Sequence, residues 1–210
     1  MVISFYGEDC FKIQSGDLTI LTDPLDPEIG LTPTRFKYDA LIKTISPFPP
    51  SAETDFDKQE TLNIIGPGEY NFKGMNIYGY ALENESTDKF LKTVYIINIE
   101  EIKLAFLGHI SEIPSPSVME HLEEIDILIL PGGGEPFLEQ KKAIKLIRQI
   151  QPKIAIPAFY KIPGLKRKTD DLKTFLNEFG KEKTETQEKL TVKKKDLNNM
   201  KPTQIVVLKI

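Results

Sequence analysis

Residues 3–24 read ISFYGEDCFKIQSGDLTILTDP, and this opening stretch decides the predicted fold. With the preceding Val2 it contains three short runs, VISFY, CFKIQ and DLTILTD, whose β-branched and aromatic residues predict three β-strands. The Ser15-Gly16-Asp17 stretch between the second and third runs is a turn signal, so these two strands are expected to form a hairpin. The chain is therefore predicted to begin as an antiparallel sheet.

The rest of the chain first adds strands and then alternates strands with helices. This order predicts one α/β domain over residues 1–210, in which two mixed sheets pack face to face. Further strands are predicted at 40–45, 61–65, 75–82, 93–99 and 102–107. Ser115 is a good N-cap, so we expect a helix from there to 123. A strand at 125–130, a helix at 138–150 and a strand at 153–157 should follow. The last predicted elements are a helix from Thr169 or Asp170 to 179 and strand-like pieces at 189–193 and 204–209.

The composition excludes several classes of function. The formal net charge of −4 argues against nonspecific binding to nucleic acid. No apolar run approaches the roughly 18–20 residues of a membrane span, and the N-terminal residues lack the pattern of a signal peptide. The single cysteine, Cys10, permits no intramolecular disulfide. We therefore expect a cytoplasmic protein that binds neither nucleic acid nor membranes.

The familiar catalytic templates are missing, which leaves few candidates for chemistry. The sequence contains no H-E-x-x-H, no G-x-S-x-G and no P-loop motif. His109 follows a predicted strand, at the position where open α/β sheets bind ligands, whereas His121 is expected on the surface of a helix. Cys10 is expected to be a buried small residue. Gly132-Gly133-Gly134 fits a tight strand-to-helix turn better than a phosphate loop.

Five stretches follow one another in an order that is similar to a known family. They are the opening stretch, DALIKTISPFPP (39–50), KLAFLGHIS (103–111), EEIDILILPGGG (123–134) and QPKIAIPAFY (151–160). Their order and spacing resemble the metallo-β-lactamase superfamily, in its branch of ascorbate-6-phosphate-lactonase-like, zinc-dependent hydrolases. The resemblance is strongest over residues 1–160. It implies a four-layer αββα sandwich of two mixed β-sheets, completed by residues 161–210, with a metal site at one edge.

Carried over position by position, the resemblance implies that the family's main metal ligands are replaced in this chain. The family's H-x-H-x-D-H motif follows the strand that corresponds to DALIKT. The family's bridging aspartate corresponds to His109, and its last histidine corresponds to Phe159. The four ligands of the H-x-H-x-D-H motif correspond to Ile45, Pro47, Pro49 and Pro50.

The remaining family positions also differ, with one exception. The first histidine of the family corresponds to Glu8, and the histidine after MNIYGYA falls at Leu82 or Glu83. Asp23, a supporting residue in the family, is the position that matches. Zinc needs thiolate, imidazole or carboxylate donors, which isoleucine, proline and phenylalanine cannot supply. The resemblance thus implies a degenerate member without the family's two zinc ions, and no cofactor is expected.

The leading hypothesis is a scaffold that has lost its metal site and hydrolase activity. Such a protein would act as a noncatalytic ligand-binding or interaction protein, with a small molecule as its expected ligand. The predicted pocket is an empty, partly apolar mouth at the edge where two metal ions would sit in the family. Its predicted lining is Glu8, Asp23, Glu83, His109, Glu112, Gly133 and Phe159.

The alternative hypothesis is a hydrolase with a remodelled site. Asp23 and His109 are then the candidate catalytic residues, either in metal-free acid–base catalysis or beside a magnesium or manganese ion held by carboxylates. Seven acidic or histidine side chains near strand ends are candidates for such a site. They are Glu8, Asp9, Asp23, Glu83, Glu85, His109 and Glu112.

A third hypothesis concerns self-association. Pro47-Phe48-Pro49-Pro50 would form an apolar contact patch if it is exposed, and this patch would suit a homo-oligomer. The sequence does not identify any other partner.

Overall fold

The polypeptide folds mainly into β-strands that form two large sheets. The structure, a computed structural model, describes residues 1–49, 61–181, 185–201 and 203–210. The α-helices in these ranges are α1 (Pro116–Met119), α2 (Gln140–Ile150), α3 (Leu172–Phe179) and α4 (Lys194–Asn198). The strands are β1 (Val2–Phe5), β2 (Phe11–Ser15), β3 (Leu18–Thr22), β4 (Ala40–Lys43), β5 (Ile45–Pro47), β6 (Leu62–Ile65), β7 (Gly68–Phe72), β8 (Met75–Ala81), β9 (Phe90–Ile99), β10 (Ile102–Phe106), β11 (Ile127–Pro131), β12 (Ile154–Ala158), β13 (Thr186–Gln187), β14 (Lys189–Thr191), β15 (Gln204–Ile205) and β16 (Val207–Leu208).

The first sheet has six strands in the order β14-β1-β2-β3-β4-β6. The pairs β1–β2 and β2–β3 are antiparallel, which confirms the predicted hairpin, whereas β3, β4 and β6 run parallel. Buried residues alternate with partly exposed ones along β1 and β4, because one face of this sheet lies against the core. The parallel strands β3 and β4 both end, at Thr22 and Lys43, on the same edge of the sheet.

The second sheet follows the order β15-β12-β11-β10-β9-β8-β7, and β5 pairs with β9 beside this path. The strands from β7 to β10 are antiparallel, while β10, β11, β12 and β15 are parallel. Every residue of β11 and β12 is buried, as their almost wholly apolar sequences predict for strands covered on both faces. The ends of β10 and β12, at Phe106 and Ala158, lie on one edge of the sheet.

The two sheets pack face to face, which confirms the predicted sandwich of two mixed sheets. Phe11 and Ile42 of the first sheet belong to the same buried cluster as Tyr95 and Phe106 of the second. Residues of α2 and α3 form another buried cluster with the opposite face of the second sheet. Burial of this apolar surface supplies the main favourable free energy of the fold.

The outer face of the first sheet is covered differently from the helical side. In the described part of the chain, the loop 24–38 with its single 3-10 turn, Pro27–Ile29, packs there through Leu25 and Phe36. Among the residues that the structure describes, this layer consists mainly of that loop. Within the same described ranges, no helix is long and apolar enough to cross a membrane.

Several local predictions differ from the structure. The helix predicted to extend to 123 ends at Met119, and a 3-10 turn, Glu120–Leu122, follows it. Helix α3 begins after Asp171, whose carboxylate accepts a hydrogen bond from the Lys173 amide, and not after Thr169 or Asp170. The strand predicted over 40–45 is split into β4 and β5, because the amide of Thr44 donates to the Asp23 carboxylate instead of continuing the ladder. The chain then leaves the first sheet, and β5 pairs with β9 of the second.

Candidate active site

A cavity of about 290 Å³, here called the site pocket, lies at the edge where β3, β4, β10 and β12 end. The first sheet contributes residues that follow β1 and β3, and the second contributes residues that follow β10 and β12. Polar and aromatic side chains dominate the lining. The six on which the site depends are Glu8, Asp9, Asp23, His109, Phe159 and Arg167.

Glu8 is buried and forms an ion pair with Arg167. Its Oε2 atom accepts a hydrogen bond of 2.7 Å from Nε of Arg167, and its side chain is 9% exposed against 35% for the arginine. The other oxygen, Oε1, is buried and has no hydrogen-bond partner among the described residues. Burial raises the pKa of Glu8 above its ordinary value, although Arg167 acts in the opposite direction.

Asp9, which is buried, and Asp23, which is partly buried, form a pair of neighbouring carboxyl groups. Asp9 is 1% exposed, and burial followed by the nearby Asp23 charge raises its pKa well above the ordinary value of 3.8. Burial also raises the pKa of Asp23, to about 6, against the hydrogen bonds it accepts from Thr44. When one of two neighbouring carboxyl groups is ionised, its negative charge raises the free-energy cost of ionising the other. The pair therefore keeps a proton at pH values above the ordinary pKa of 3.8, and we infer that Asp9, the more deeply buried of the two, is the favoured holder of this proton.

Thr44 links Asp23 to His109. The Thr44 hydroxyl donates to Oδ2 of Asp23 over 2.7 Å. The hydroxyl oxygen of Thr44, Oγ1, also lies 2.8 Å from Nδ1 of His109. Since a hydroxyl has a single proton to donate, Nδ1 of His109 carries the hydrogen and Nε2 is free to accept one. Gly108 makes this approach feasible, because a Cβ atom at that position would lie 2.2 Å from the Cβ of Thr44.

His109 is held as a neutral imidazole among aromatic rings. Its ring lies 4.8 Å from that of Phe159 and 5.8 Å from that of Phe137, both in edge-on geometry. Burial, with smaller contributions from Arg167 and Lys92, lowers the pKa of His109 to about 3. A histidine with this pKa is a weak base and does not carry a positive charge at neutral pH. Its Nδ1 hydrogen bond with Thr44 leaves the Thr44 hydroxyl directed at Asp23.

The positions implied as metal ligands by the family resemblance are divided between the site pocket, which Glu8 and His109 also line, and the exposed surface. Ile45 and Phe159 line the site pocket, while Pro47 and Pro49 are exposed. Pro50 lies outside the described residues. Among the residues that the structure describes, no group of three or more His, Cys, Asp or Glu side chains could hold a metal ion. These side chains therefore do not fit the family's pair of zinc ions.

Three of the candidate carboxylates lie away from the site pocket. Glu83, Glu85 and Glu112 line a separate cavity beside the 3-10 turn Glu83–Glu85. Glu85 accepts hydrogen bonds from the amide and hydroxyl of Ser111 and from Lys92. Burial opposes its ionisation, yet these donors hold the pKa of Glu85 below its ordinary value. The structure thus brings together Glu8, Asp9, Asp23 and His109 and leaves these three glutamates outside.

The glycine loop supports the site by close packing. A Cβ atom on Gly133 would lie 2.1 Å from the backbone oxygen of Phe159, so the loop and the end of β12 lie in direct contact. Phe159 has a φ of 55°, and its amide donates to the backbone oxygen of Glu8. Gly133 therefore fixes the position of Phe159 without itself lining the site pocket.

Sequence reasoning missed two residues of the site, Thr44 and Arg167. Thr44 could have been noticed as the last polar residue before the replaced ligand motif. Arg167 lies in a lysine-rich loop that resembles a solvated surface, and nothing in the sequence links it to Glu8.

Two other candidates have no part in the pocket. Cys10 is buried, which raises its pKa to about 12, and the exposed His121 stacks on Tyr80.

Comparison with known proteins identifies the family. A family model described as beta-lactamase superfamily domain matches residues 2–158, which is most of the chain. The chain belongs to the metallo-β-lactamase superfamily. Its relatives include a metal-dependent hydrolase of Natranaerobius thermophilus, 23% identical over 76% of this chain and 83% of that protein. A Pyrococcus abyssi protein of the same uncharacterised group is 25% identical over the same shares.

Solved structures give the same assignment within the metallo-β-lactamase superfamily. A Thermotoga maritima protein, described as a candidate Zn-dependent hydrolase of that superfamily, superposes with a TM-score of 0.77. It is 26% identical, and the match covers 99% of this chain and 97% of that one. A metallo hydrolase from Ignicoccus hospitalis shares the fold at 16% identity, with a TM-score of 0.61 over 85% of this chain and 90% of its own.

Proposed function

We propose that this chain is a metallo-β-lactamase-fold protein that has lost the dinuclear metal centre and hydrolase activity, and that it binds a small polar molecule in the site pocket. The observation that carries the proposal is the replacement of the family's donors by Ile45, Pro47 and Phe159, with His109 already bonded to Thr44. Without metal ions, no group in the pocket lowers the pKa of an attacking water towards 7.

The chemistry of the site pocket favours a ligand that donates hydrogen bonds. Oε1 of Glu8 and both carboxyl oxygens of Asp9 are buried and have no hydrogen-bond partner among the described residues. Unsatisfied buried acceptors are costly, so a hydroxyl or amino group that reached them would gain affinity. The aromatic ring of Phe159 and the side chain of Ile45 supply an apolar wall. A small polyhydroxylated or amino compound suits this combination.

Metal analysis of the purified chain tests the loss of the metal centre. We expect inductively coupled plasma mass spectrometry to find far less than one zinc, iron or manganese ion per chain. The Natranaerobius thermophilus relative, purified in the same buffers, is the control for metal retention. A stoichiometric metal in this chain that disappears in the Asp23→Asn variant would overturn the proposal, because the metal would then belong to the site pocket.

A second candidate function is metal-free acid–base catalysis, which the Asp9–Asp23 pair supports. A protonated Asp9 could donate a proton while the ionised Asp23 accepts one, as paired carboxyl groups with separated pKa values do. Metal-free acid–base catalysis predicts an ester or lactone hydrolase activity that chelators do not inhibit. The activity should fall at least tenfold in Asp9→Asn and in His109→Ala. A screen of esters and lactones in which the two variants match the parent chain would exclude this function.

A further inference from the structure

A second cavity, here called the outer cavity, lies beside the site pocket and has a volume of about 820 Å³. It is formed by the loop 30–35, the segment 160–163, the start of α3 and the strand β16 with the residues that follow it. None of its lining residues lines the site pocket. Its size falls in the range of cavities that hold organic ligands.

The wall of the outer cavity is apolar. Leu31 and Ile162 face it from the two loops, and Leu172 faces it from the start of α3. All three side chains are only partly buried, so a ligand could cover the remainder of their surface. Covering apolar surface releases roughly 25 cal/mol for each Å² removed from water. An apolar chain would therefore gain affinity in this cavity.

The charged residues that line the outer cavity are all cations. Arg35, Lys161 and Lys209 belong to the lining, which includes no Asp or Glu side chain among the described residues. Lys209 lies 3.5 Å from Glu188, whereas Arg35 and Lys161 form no ion pair with any residue that the structure describes. Arg35 and Lys161 are therefore the cationic side chains of the described lining that have no charged side-chain partner.

We propose that the outer cavity binds a small amphipathic anion, in which a single apolar chain ends in a carboxylate. The chain lies against Leu31, Ile162 and Leu172, and the carboxylate is held by Arg35 and Lys161. An arginine favours such a headgroup, because its planar fork donates two parallel hydrogen bonds to a carboxylate. The proposal is independent of the proposed function, since it concerns different residues.

Isothermal titration calorimetry of the full chain with simple probes tests the proposal. The probes are decanoate, decan-1-ol, decyltrimethylammonium and acetate, each kept below its micelle-forming concentration. We expect decanoate to bind at least tenfold more tightly than decan-1-ol, and the ammonium probe and acetate to give no measurable heat. Decan-1-ol that binds as tightly as decanoate would overturn the role of the cations. Absence of decanoate binding would overturn the proposal altogether.

Charge-reversal variants locate the binding site. Arg35→Glu and Lys161→Glu should each weaken decanoate binding at least tenfold. Lys37→Glu is the matched control, because Lys37 is exposed on the same loop, lies outside the cavity lining and changes the net charge by the same amount. It should change the affinity less than twofold. Equal losses in Lys37→Glu and Arg35→Glu would mean general charge attraction and would overturn the assigned site.

Vesicles distinguish a free amphiphile from a membrane surface. Flotation with vesicles that contain anionic lipid should leave the chain unbound, because the proposal assigns the cavity to a single soluble molecule. Flotation of the chain that is lost in Arg35→Glu would overturn the proposal in favour of a lipid surface.

Discussion

Nδ1 of His109 lies 2.8 Å from the hydroxyl oxygen of Thr44, and this contact joins the edges of the two sheets. Thr44 follows β4 of the first sheet, and His109 follows β10 of the second. The same hydroxyl donates to Asp23, so one hydrogen-bond chain runs from Asp23 through Thr44 to His109. This polar link lies at the edge where β3, β4, β10 and β12 end.

Replacing Thr44 with valine should break this chain and destabilise the fold. The change removes the Thr44 hydroxyl, so Asp23 loses a hydrogen-bond donor and Nδ1–H of His109 loses its acceptor. Hydrogen bonds to charged groups contribute about 1.5–3 kcal/mol each, so we expect the free energy of unfolding to fall by about 2–3 kcal/mol. Urea denaturation measures this directly.

Two controls isolate the hydroxyl of Thr44. Thr44→Ser keeps the oxygen and should lose about 1 kcal/mol or less, since it deletes one buried methyl group. Thr19→Val makes the same chemical change at a strand residue whose hydroxyl has no partner among the described residues, and it should have little effect. If Thr44→Val and Thr44→Ser were equally stable, the hydrogen-bond chain would not contribute to stability.

The Asp9–Asp23 pair should make the protein less stable as the pH rises. The unfolded chain loses these protons near the ordinary value of 3.8, whereas burial in the folded state raises the pKa of Asp23 to about 6 and the pKa of Asp9 well above 3.8. The folded state therefore binds more protons in this window, and the free energy of unfolding falls as the pH rises through it. A shift from 3.8 to about 6 corresponds to about 3 kcal/mol at most.

Asp9→Asn should remove much of this dependence. The amide cannot ionise and has nearly the shape of a protonated carboxyl, so the variant mimics the protonated Asp9 beside Asp23. We expect it to be about 1–3 kcal/mol more stable than the parent at pH 7.5 and nearly equal to it at pH 4. Urea denaturation between pH 4 and 8 tests this, with Asp17→Asn in the exposed Gly16-Asp17 turn as the control. A variant that is less stable at every pH would contradict the shared proton.

Much of the fold could be predicted because its signals are local. The hairpin at Ser15-Gly16-Asp17, the wholly apolar strands β11 and β12 and the amphipathic helix α2 follow from turn residues and periodicity. The break at Thr44 could not be predicted, because it depends on a hydrogen bond to Asp23, 21 positions earlier in the chain. Long-range polar contacts of this kind leave no periodic pattern in a sequence.

The candidate site could be predicted only in part, for the same reason. The family resemblance placed Glu8, Asp23, His109 and Phe159 at one edge, and all four line the site pocket. Glu83 and Glu112 were grouped with them because they also follow strands, but they lie around a different cavity. The ion pair of Glu8 with Arg167 joins positions 159 residues apart, so composition alone could not reveal it.

Gly133→Ala should be strongly destabilising if the glycine loop acts by packing. The new Cβ would lie 2.1 Å from the backbone oxygen of Phe159, and a backbone atom cannot move aside as a flexible side chain can. We expect the free energy of unfolding to fall by about 3 kcal/mol or more. The control is Gly16→Ala, where nothing lies within 4 Å and only the left-handed backbone is strained, at a cost of about 1 kcal/mol. Similar values for the two variants would contradict the packing role.

Removing Arg167 should cost more than removing the charge of its partner Glu8. Arg167→Gln leaves a carboxylate that is 9% exposed without its counter-charge, and we expect a loss of about 2–3 kcal/mol at pH 7.5. Glu8→Gln leaves a guanidinium that is 35% exposed and can be hydrated, so its loss should be about 1 kcal/mol.

The pH dependence and the double variant complete the test of this pair. The loss in Arg167→Gln should shrink towards pH 5, because the raised pKa of Glu8 allows its carboxyl to become neutral once the arginine no longer opposes protonation. The double variant should be more stable than Arg167→Gln alone, since it no longer buries an unpaired charge. Urea denaturation of all four proteins forms a double-mutant cycle. Additive losses would mean that the 2.7 Å contact contributes nothing to stability.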